Sequence, residues 1–206
     1  MSGYIVSGTD TGIGKTVVSA LLTLGLGATY WKPIQSGTED GTDTQSVRAL
    51  TGLPPERFIP ERYVLTQPLS PHRAAEMDKV EIDTDSFEMP NARPLIVEGA
   101  GGLMVPVTRR MLQIDLFAAW GLPVILVART GLGTINHTLL SIEVLRARKM
   151  VLHGLIFSGD DNADNIKTIA DFTGARVLGH MRRLQRTDTA ALQRVFTENF
   201  KKEDFA

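Results

Sequence analysis

Short runs of apolar and β-branched residues recur along the chain between longer stretches of mixed character. Residues 4–7, 28–31, 94–97, 123–128, 155–157 and 176–179 have the length and composition of strands. In Val124, Ile125, Leu126 and Val127 the apolar positions do not alternate with polar ones, as in a strand covered on both faces. The segments between read as helices over 15–26, 43–51, 113–120, 136–149, 162–173 and 188–199, with Asp43, Asn136 and Asp188 placed to cap their N-termini. Such alternation predicts an α/β fold, a mainly parallel sheet with helices on both faces. Residues 53–90 break the rhythm. They are rich in proline and acidic residues, show no clear period, and read as an irregular excursion over the edge or the C-terminal rim of the sheet.

A length of 206 residues suits one domain spanning 1–206, and at that size roughly 70% of the unfolded surface is buried, enough for a core without covalent staples. Hydrophobic residues at 43% and charged residues at 22% exclude a disordered or collagen-like chain. Lys+Arg at 22 against Asp+Glu at 23 leaves a net charge of −1, so no whole-surface affinity for nucleic acid or membrane is expected and any anion site is local. The arginines between Arg176 and Arg194 lack interleaved aromatics and read as a solvated helix face. Cysteine is absent, which removes disulfides, thiol nucleophiles and Cys-based metal sites and fits a cytoplasmic protein. The uncharged stretch 16–31 is shorter than the ~20 residues of a membrane span and is interrupted by Gly25 and Gly27, so it reads as a buried helix entering a buried strand. No targeting segment is read.

The chemistry starts directly after the first strand, at Ser7-Gly8-Thr9-Asp10-Thr11-Gly12-Ile13-Gly14-Lys15-Thr16. Glycines let backbone N–H groups turn inward, the following helix adds its positive end, a lysine reaches the phosphates and a hydroxyl serves magnesium. Gly8 stands one residue further from Lys15 than the usual G-x-x-x-x-G-K-[ST] spacing, so this phosphate loop carries an additional residue. Glu98 ends a buried strand, followed by Gly99-Ala100-Gly101-Gly102; a carboxylate there can hold Mg²⁺, and the glycines admit a ligand close to the backbone. The Asn-Lys-x-Asp signature of GTP switches is missing. Four histidines, His72, His137, His153 and His180, have no metal-ligand spacing, and His72 reads as a structural hydrogen bonder in a Ser-Pro-His turn.

The motifs together resemble the dethiobiotin synthetases, the ATP-dependent ring-closing enzymes of biotin synthesis. The phosphate loop with its additional residue, Lys32-Pro33-Ile34-Gln35-Ser36-Gly37, Asp43-Thr44, Ser70-Pro71-His72, Val97-Glu98-Gly99-Ala100-Gly101-Gly102 and Leu132-Gly133-Thr134-Ile135-Asn136-His137 follow in that family's order, over roughly residues 4–157. The resemblance implies a P-loop NTPase fold, ATP as co-substrate with Mg²⁺, and the substrates 7,8-diaminononanoate and CO₂. Lys15 and Lys32 become the catalytic cations. Gly12, Ile13, Gly14, Lys15, Thr16, Val17, Asp43, Glu98, Gly99, Ala100 and Gly101 become nucleotide contacts. Thr16, Asp43 and Glu98 become the magnesium site. Thr11 and Ser36 become substrate contacts, joined by Asn136 reaching from the second subunit of a homodimer whose active site is shared.

The last fifty residues depart from the family. Ser158-Gly159-Asp160-Asp161 stands where Asn-Asp usually follows the strand, and Gly179-His180-Met181-Arg182-Arg183 replaces a Gly-x-x-Pro stretch that frames the base. A permissive base pocket is expected. Two other readings compete: a nucleotide-driven switch or partitioning ATPase, and a sensor that binds without turnover. The first usually carries an additional lysine near the start of the loop, which Thr9-Asp10-Thr11 lacks; the second has no need of Lys32.

Overall fold

A computed structural model describes residues 3–184 and 186–205. Seven parallel strands form the central sheet: β1 (Tyr4–Gly8), β2 (Thr29–Trp31), β4 (Phe58–Ile59), β6 (Leu95–Gly102), β7 (Val124–Arg129), β8 (Leu152–Ser158) and β9 (Val177–Met181), in the order β4-β2-β6-β1-β7-β8-β9. β3 (Ile34–Ser36) and β5 (Tyr63–Leu65) make a separate parallel pair. On one face lie α1 (Lys15–Leu26), α2 (Asp43–Thr51) and α7 (Thr189–Asn199), with Val18, Leu21, Leu22, Val47, Leu192 and Phe196 packed on Val6, Tyr30, Ile96, Ile125 and Ile156. On the other lie α4 (Gln113–Trp120), α5 (Thr134–Ala147) and α6 (Ala163–Thr173), with Ile114, Phe117, Ile142, Leu145 and Ile169 packed on Ile5, Val97, Leu126 and Phe157. Both faces of the inner strands are buried, which is why their sequences run apolar without alternation.

Parallel strands end at one edge, and functional residues of such sheets gather there. β2, β6, β1, β7 and β8 are neighbours in the sheet, so Lys32, Glu98, the phosphate loop, Arg129 and Ser158 arrive side by side. α1 opens at Gly14 and packs against β1 and β6. Gly25, the interruption within its apolar run, is occupied from outside: a Cβ there would fall on the Phe196 ring.

The excursion is more regular than its composition predicts. It supplies β4 at the sheet edge, β5 beside β3, and α3 (Pro71–Asp78), which packs on β3 and β5. Strands of two or three residues leave no period to read. Three helix starts also differ in detail. Thr42, not Asp43, caps α2, in a box with Gln45 that leaves Asp43 as the first helical residue. α5 starts two residues early with Gly133 as its cap, which puts Asn136 inside the first turn. Asp188 does cap α7 through Ala191 N–H. The Ser-Pro-His segment is the start of α3, not a free turn, and His72 Nδ1 is buried without a partner among the described residues, while its backbone N–H donates to Pro106 O at 3.3 Å. Arg176, Arg182, Arg183 and Arg186 do not share a helix face; they pair at the surface with Asp204, Asp161, Asp160 and Asp188.

Candidate active site

Gly14 turns the loop into α1 with φ 95°, and a Cβ there would sit 2.7 Å from Ser158 Oγ, so only glycine passes beneath the end of β8. Lys15 folds back over the loop and donates to the Asp10 carbonyl at 2.8 Å. Arg129, at the end of β7, donates to Thr11 O at 3.0 Å and pairs with the Asp10 carboxylate at 3.1 Å. It thereby ties down the lengthened stretch of the loop. Nothing local in the sequence marks Arg129, because its neighbourhood follows from the pairing of β1 with β7.

Trp31 lies opposite Val97, so the next residues, Lys32 and Glu98, meet. Lys32 Nζ pairs with Asp43 Oδ2 and, at 3.3 Å, with Glu98 Oε1. Thr16 Oγ1 lies 2.8 Å from Asp43 Oδ1 and 3.0 Å from Glu98 Oε1. Tyr30 OH donates to Glu98 Oε2 at 3.0 Å. Gln35 accepts from Asp43 N–H at 3.1 Å and donates to Gly37 O at 2.8 Å, which locks the loop that presents Ser36. Tyr30 and Gln35 are site residues that the motifs did not single out.

Lys15, Lys32 and Glu98 are 6%, 4% and 1% exposed. Burial pushes the Lys15 ammonium down to about 8 against the pull of Glu98. Burial acts on Lys32 in the same sense, but Glu98 and Asp43 together outweigh it and hold Lys32 above the ordinary lysine value. Burial would raise Asp43, and Lys32 overcomes it, leaving that carboxyl below the usual range. Burial, reinforced by Glu98, keeps the Tyr30 phenol protonated far above neutrality. The site is therefore charged at neutral pH.

Two carboxylates, each with an oxygen within about 3 Å of the Thr16 hydroxyl, make with it a hard-oxygen donor set of the kind Mg²⁺ takes. No group of three or more His, Cys, Asp or Glu suited to a metal occurs among the described residues, so the protein offers part of a coordination shell, to be completed by water and phosphate.

Two cavities flank the loop. The first, about 570 Å³, is lined by Thr11, Gly12, Gly14, Lys15, Thr16, Lys32, Ser36, Asp43, Glu98, Ala100, Gly101 and Val105, and is roofed by Pro68, Leu69, Ser70 and Pro71 from the excursion. The second, about 580 Å³, lies beyond Gly12, Ile13 and Gly14 and is lined by Arg129, Thr130, Gly131, Ser158, Gly159, Asp160, Asp161, Asn162 and Arg183. Ser158 and Gly159, the departures from the Asn-Asp pattern, thus line a space adjoining the loop. Val17 and Gly99 line neither cavity. Val17 packs against the core on the α1 face, and Gly99 leaves room for Phe117 and Gln113. Asn136 is exposed and lines neither, although His137 and Leu140 of the same helix border a third, more apolar hollow with Thr9, Asp10, Thr11 and Met104.

A family model described as an AAA domain matches residues 2–191. Solved structures share the fold at low identity. The MinC:MinD cell division complex of Aquifex aeolicus superimposes with a TM-score of 0.56 over 94% of this chain and 86% of that one, at 11% identity. A ParA family ATPase of Chlorobium tepidum gives 0.52 over 100% and 92%, at 10% identity. At such identities the likeness speaks for the P-loop NTPase fold alone. Sequence relatives are far nearer. An ATP-dependent dethiobiotin synthetase BioD of Rhodopseudomonas palustris is 55% identical over 202 residues, 98% of this chain and 95% of the relative. That of Novosphingobium aromaticivorans is 52% identical over 206 residues, the full length of both. With half of all positions shared over whole chains, this chain belongs to the ATP-dependent dethiobiotin synthetase family.

Proposed function

We propose that this chain is an ATP-dependent ring-closing ligase that converts 7,8-diaminononanoate and CO₂ to dethiobiotin, ADP and phosphate. One observation carries the assignment of roles: Lys15 and Lys32, both buried, border the same cavity as Thr16, Asp43 and Glu98. In the reaction one amine adds CO₂ to give a carbamate and releases a proton. A carbamate oxygen displaces ADP from the γ-phosphorus, and the second amine then attacks the carbamoyl carbon, expelling phosphate and closing the ureido ring. Negative charge builds on the oxygens around phosphorus and on the carbamate, so catalysis here is charge placement more than proton transfer. Lys15, at the mouth of α1, faces the phosphate chain; Lys32, anchored between Asp43 and Glu98, faces the carbamate side near Ser36 and Thr11. Thr16, Asp43 and Glu98 would hold Mg²⁺, which when bound neutralises phosphate charge.

The second part of the reading is a homodimer with a shared site. Asn136 is exposed and lines neither of the cavities at the phosphate loop, and Leu132, Leu140 and Met104 are exposed apolar side chains. These features suit a first turn of α5 that meets a substrate lying on the partner's phosphate loop.

Phosphate release measured with ATP, diamine and bicarbonate, each omitted in turn, tests the activity. Turnover should require all three, and Lys32→Ala should lower it about 10²–10³-fold in a folded protein. Hydrolysis at the full rate without diamine would refute the ligase, and near-normal turnover by Lys32→Ala would refute the role of that lysine.

A further inference from the structure

Tyr30 is fully buried in β2, opposite Ile96 of β6, with its ring packed 6.3 Å from that of Phe58. Glu98 lies two residues beyond Ile96 and therefore on the same face of the sheet. The phenol reaches along that face to Glu98 Oε2 at 3.0 Å. Oε1, the other oxygen of the carboxylate, meets Thr16 Oγ1 at 3.0 Å and Lys32 Nζ at 3.3 Å. The two oxygens of one buried carboxylate thus have separate partners, one in the core and one in the site. A phenol is a neutral donor, so it satisfies its oxygen without cancelling the negative charge that the site uses. A cation in the same place would cancel it. Phenylalanine would leave Oε2 unpaired beside hydrocarbon, and the carboxylate could then turn both oxygens toward Lys32.

We propose that Tyr30 is a positioning residue for Glu98, holding one carboxylate oxygen in the core so that the other is presented to Thr16, Lys32 and the metal. The inference rests on the reading of Glu98 as a magnesium ligand, and it concerns a fully buried residue that lines neither cavity at the phosphate loop.

The test uses the full-length chain as parent, Tyr30→Phe, Glu98→Gln and the double variant. Binding of ADP is followed by calorimetry across a Mg²⁺ titration, alongside steady-state kinetics. Tyr30→Phe should raise the Mg²⁺ concentration for half-maximal ADP binding about tenfold, the scale of lost support behind a metal ligand, with KM for the diamine unchanged. In the Glu98→Gln background the same substitution should add less than about twofold, because the group it acts through is gone. If Glu98→Gln shifts the Mg²⁺ titration and Tyr30→Phe does not, the inference fails while the metal reading stands. If neither shifts it, both fail. An equal shift in both backgrounds means that Tyr30 acts elsewhere and overturns the inference. Should Tyr30→Phe alone not fold, the double variant, which lacks the unpaired carboxylate, should regain a folded state; failure to do so overturns the pairing.

Discussion

The Lys15 ammonium is enclosed at the mouth of α1 and, among the described residues, donates one hydrogen bond, to the Asp10 carbonyl, and burial depresses it to about 8. The unfolded chain holds the same proton with an ordinary lysine value near 10.4. Below about pH 8 the group is charged in both states, so the folded protein bears the whole cost of burying it, on the order of 3 kcal/mol. Between about 8 and the unfolded value the folded state sheds its proton and the cost fades. Lys15→Met should therefore melt higher than the parent without nucleotide at pH 7, and the gap should narrow by pH 10. Melting curves at the two pH values, with ADP binding abolished in the variant, check both halves; a parent that is the more stable at pH 7 contradicts the depressed lysine. Such a cost is what a site that awaits a polyanion imposes on the empty protein. Lys15, Thr16, Lys32, Asp43 and Glu98 are legible in the sequence because each sits in a motif of fixed spacing. Tyr30 and Arg129 are not, since a tyrosine or an arginine at a strand end has a meaning only through the strand beside it.

At the scale of elements, α1 carries both the site and a constraint from the far end of the chain. Gly25, next to last in α1, gives up at most about 1 kcal/mol of helix propensity relative to alanine. The gain from Gly25→Ala is not available, because the new Cβ would meet the Phe196 ring, itself stacked on Phe200 at 5.9 Å. Overpacking of this kind costs about 1–3 kcal/mol. Gly25→Ala should lower the urea midpoint, and Phe196→Leu should cost less in the Gly25→Ala background than in the parent. Independent, additive effects would show that the two sites do not touch. The long helices and most inner strands were readable to within a few residues, the strands from uninterrupted apolar runs, whereas β6 continues past the expected end at 97 through Glu98 to Gly102. β3, β4 and β5 were not, because two or three residues acquire strand geometry only from a partner: Phe58 and Ile59 from β2, Ile34, Gln35 and Ser36 from β5.

For the whole molecule the proposed shared site makes a prediction that no single chain can. A Lys32→Ala dimer lacks the lysine in both sites, and an Asn136→Ala dimer lacks the amide in both. After subunit exchange at random, half of the dimers are mixed, and an isologous pair then contains one site with both defects and one intact site. Activity of the re-equilibrated mixture should rise well above the mean of the two parents, with exchange verified by native mass spectrometry. If only the mean is seen after exchange, Asn136 serves its own chain or none. The three-dimensional placement sharpens this test, because of the two roles the sequence offered Asn136, helix cap and contact to a partner's substrate, the first belongs to Gly133.

The sequence by itself determined the class of fold and the position of the phosphate loop, because uninterrupted apolar strands, mixed helices and fixed motif spacings are local properties of the chain. It also sufficed for membership, through identity along the full length. Only the tertiary structure decided that Pro68, Leu69, Ser70 and Pro71 roof the cavity, that Arg129 ties down the loop and that Tyr30 holds the far oxygen of Glu98. Each of those contacts joins residues brought together by strand order or by a returning excursion. Strand order is set by how both faces of one sheet are covered at once, a condition that no window of the sequence contains.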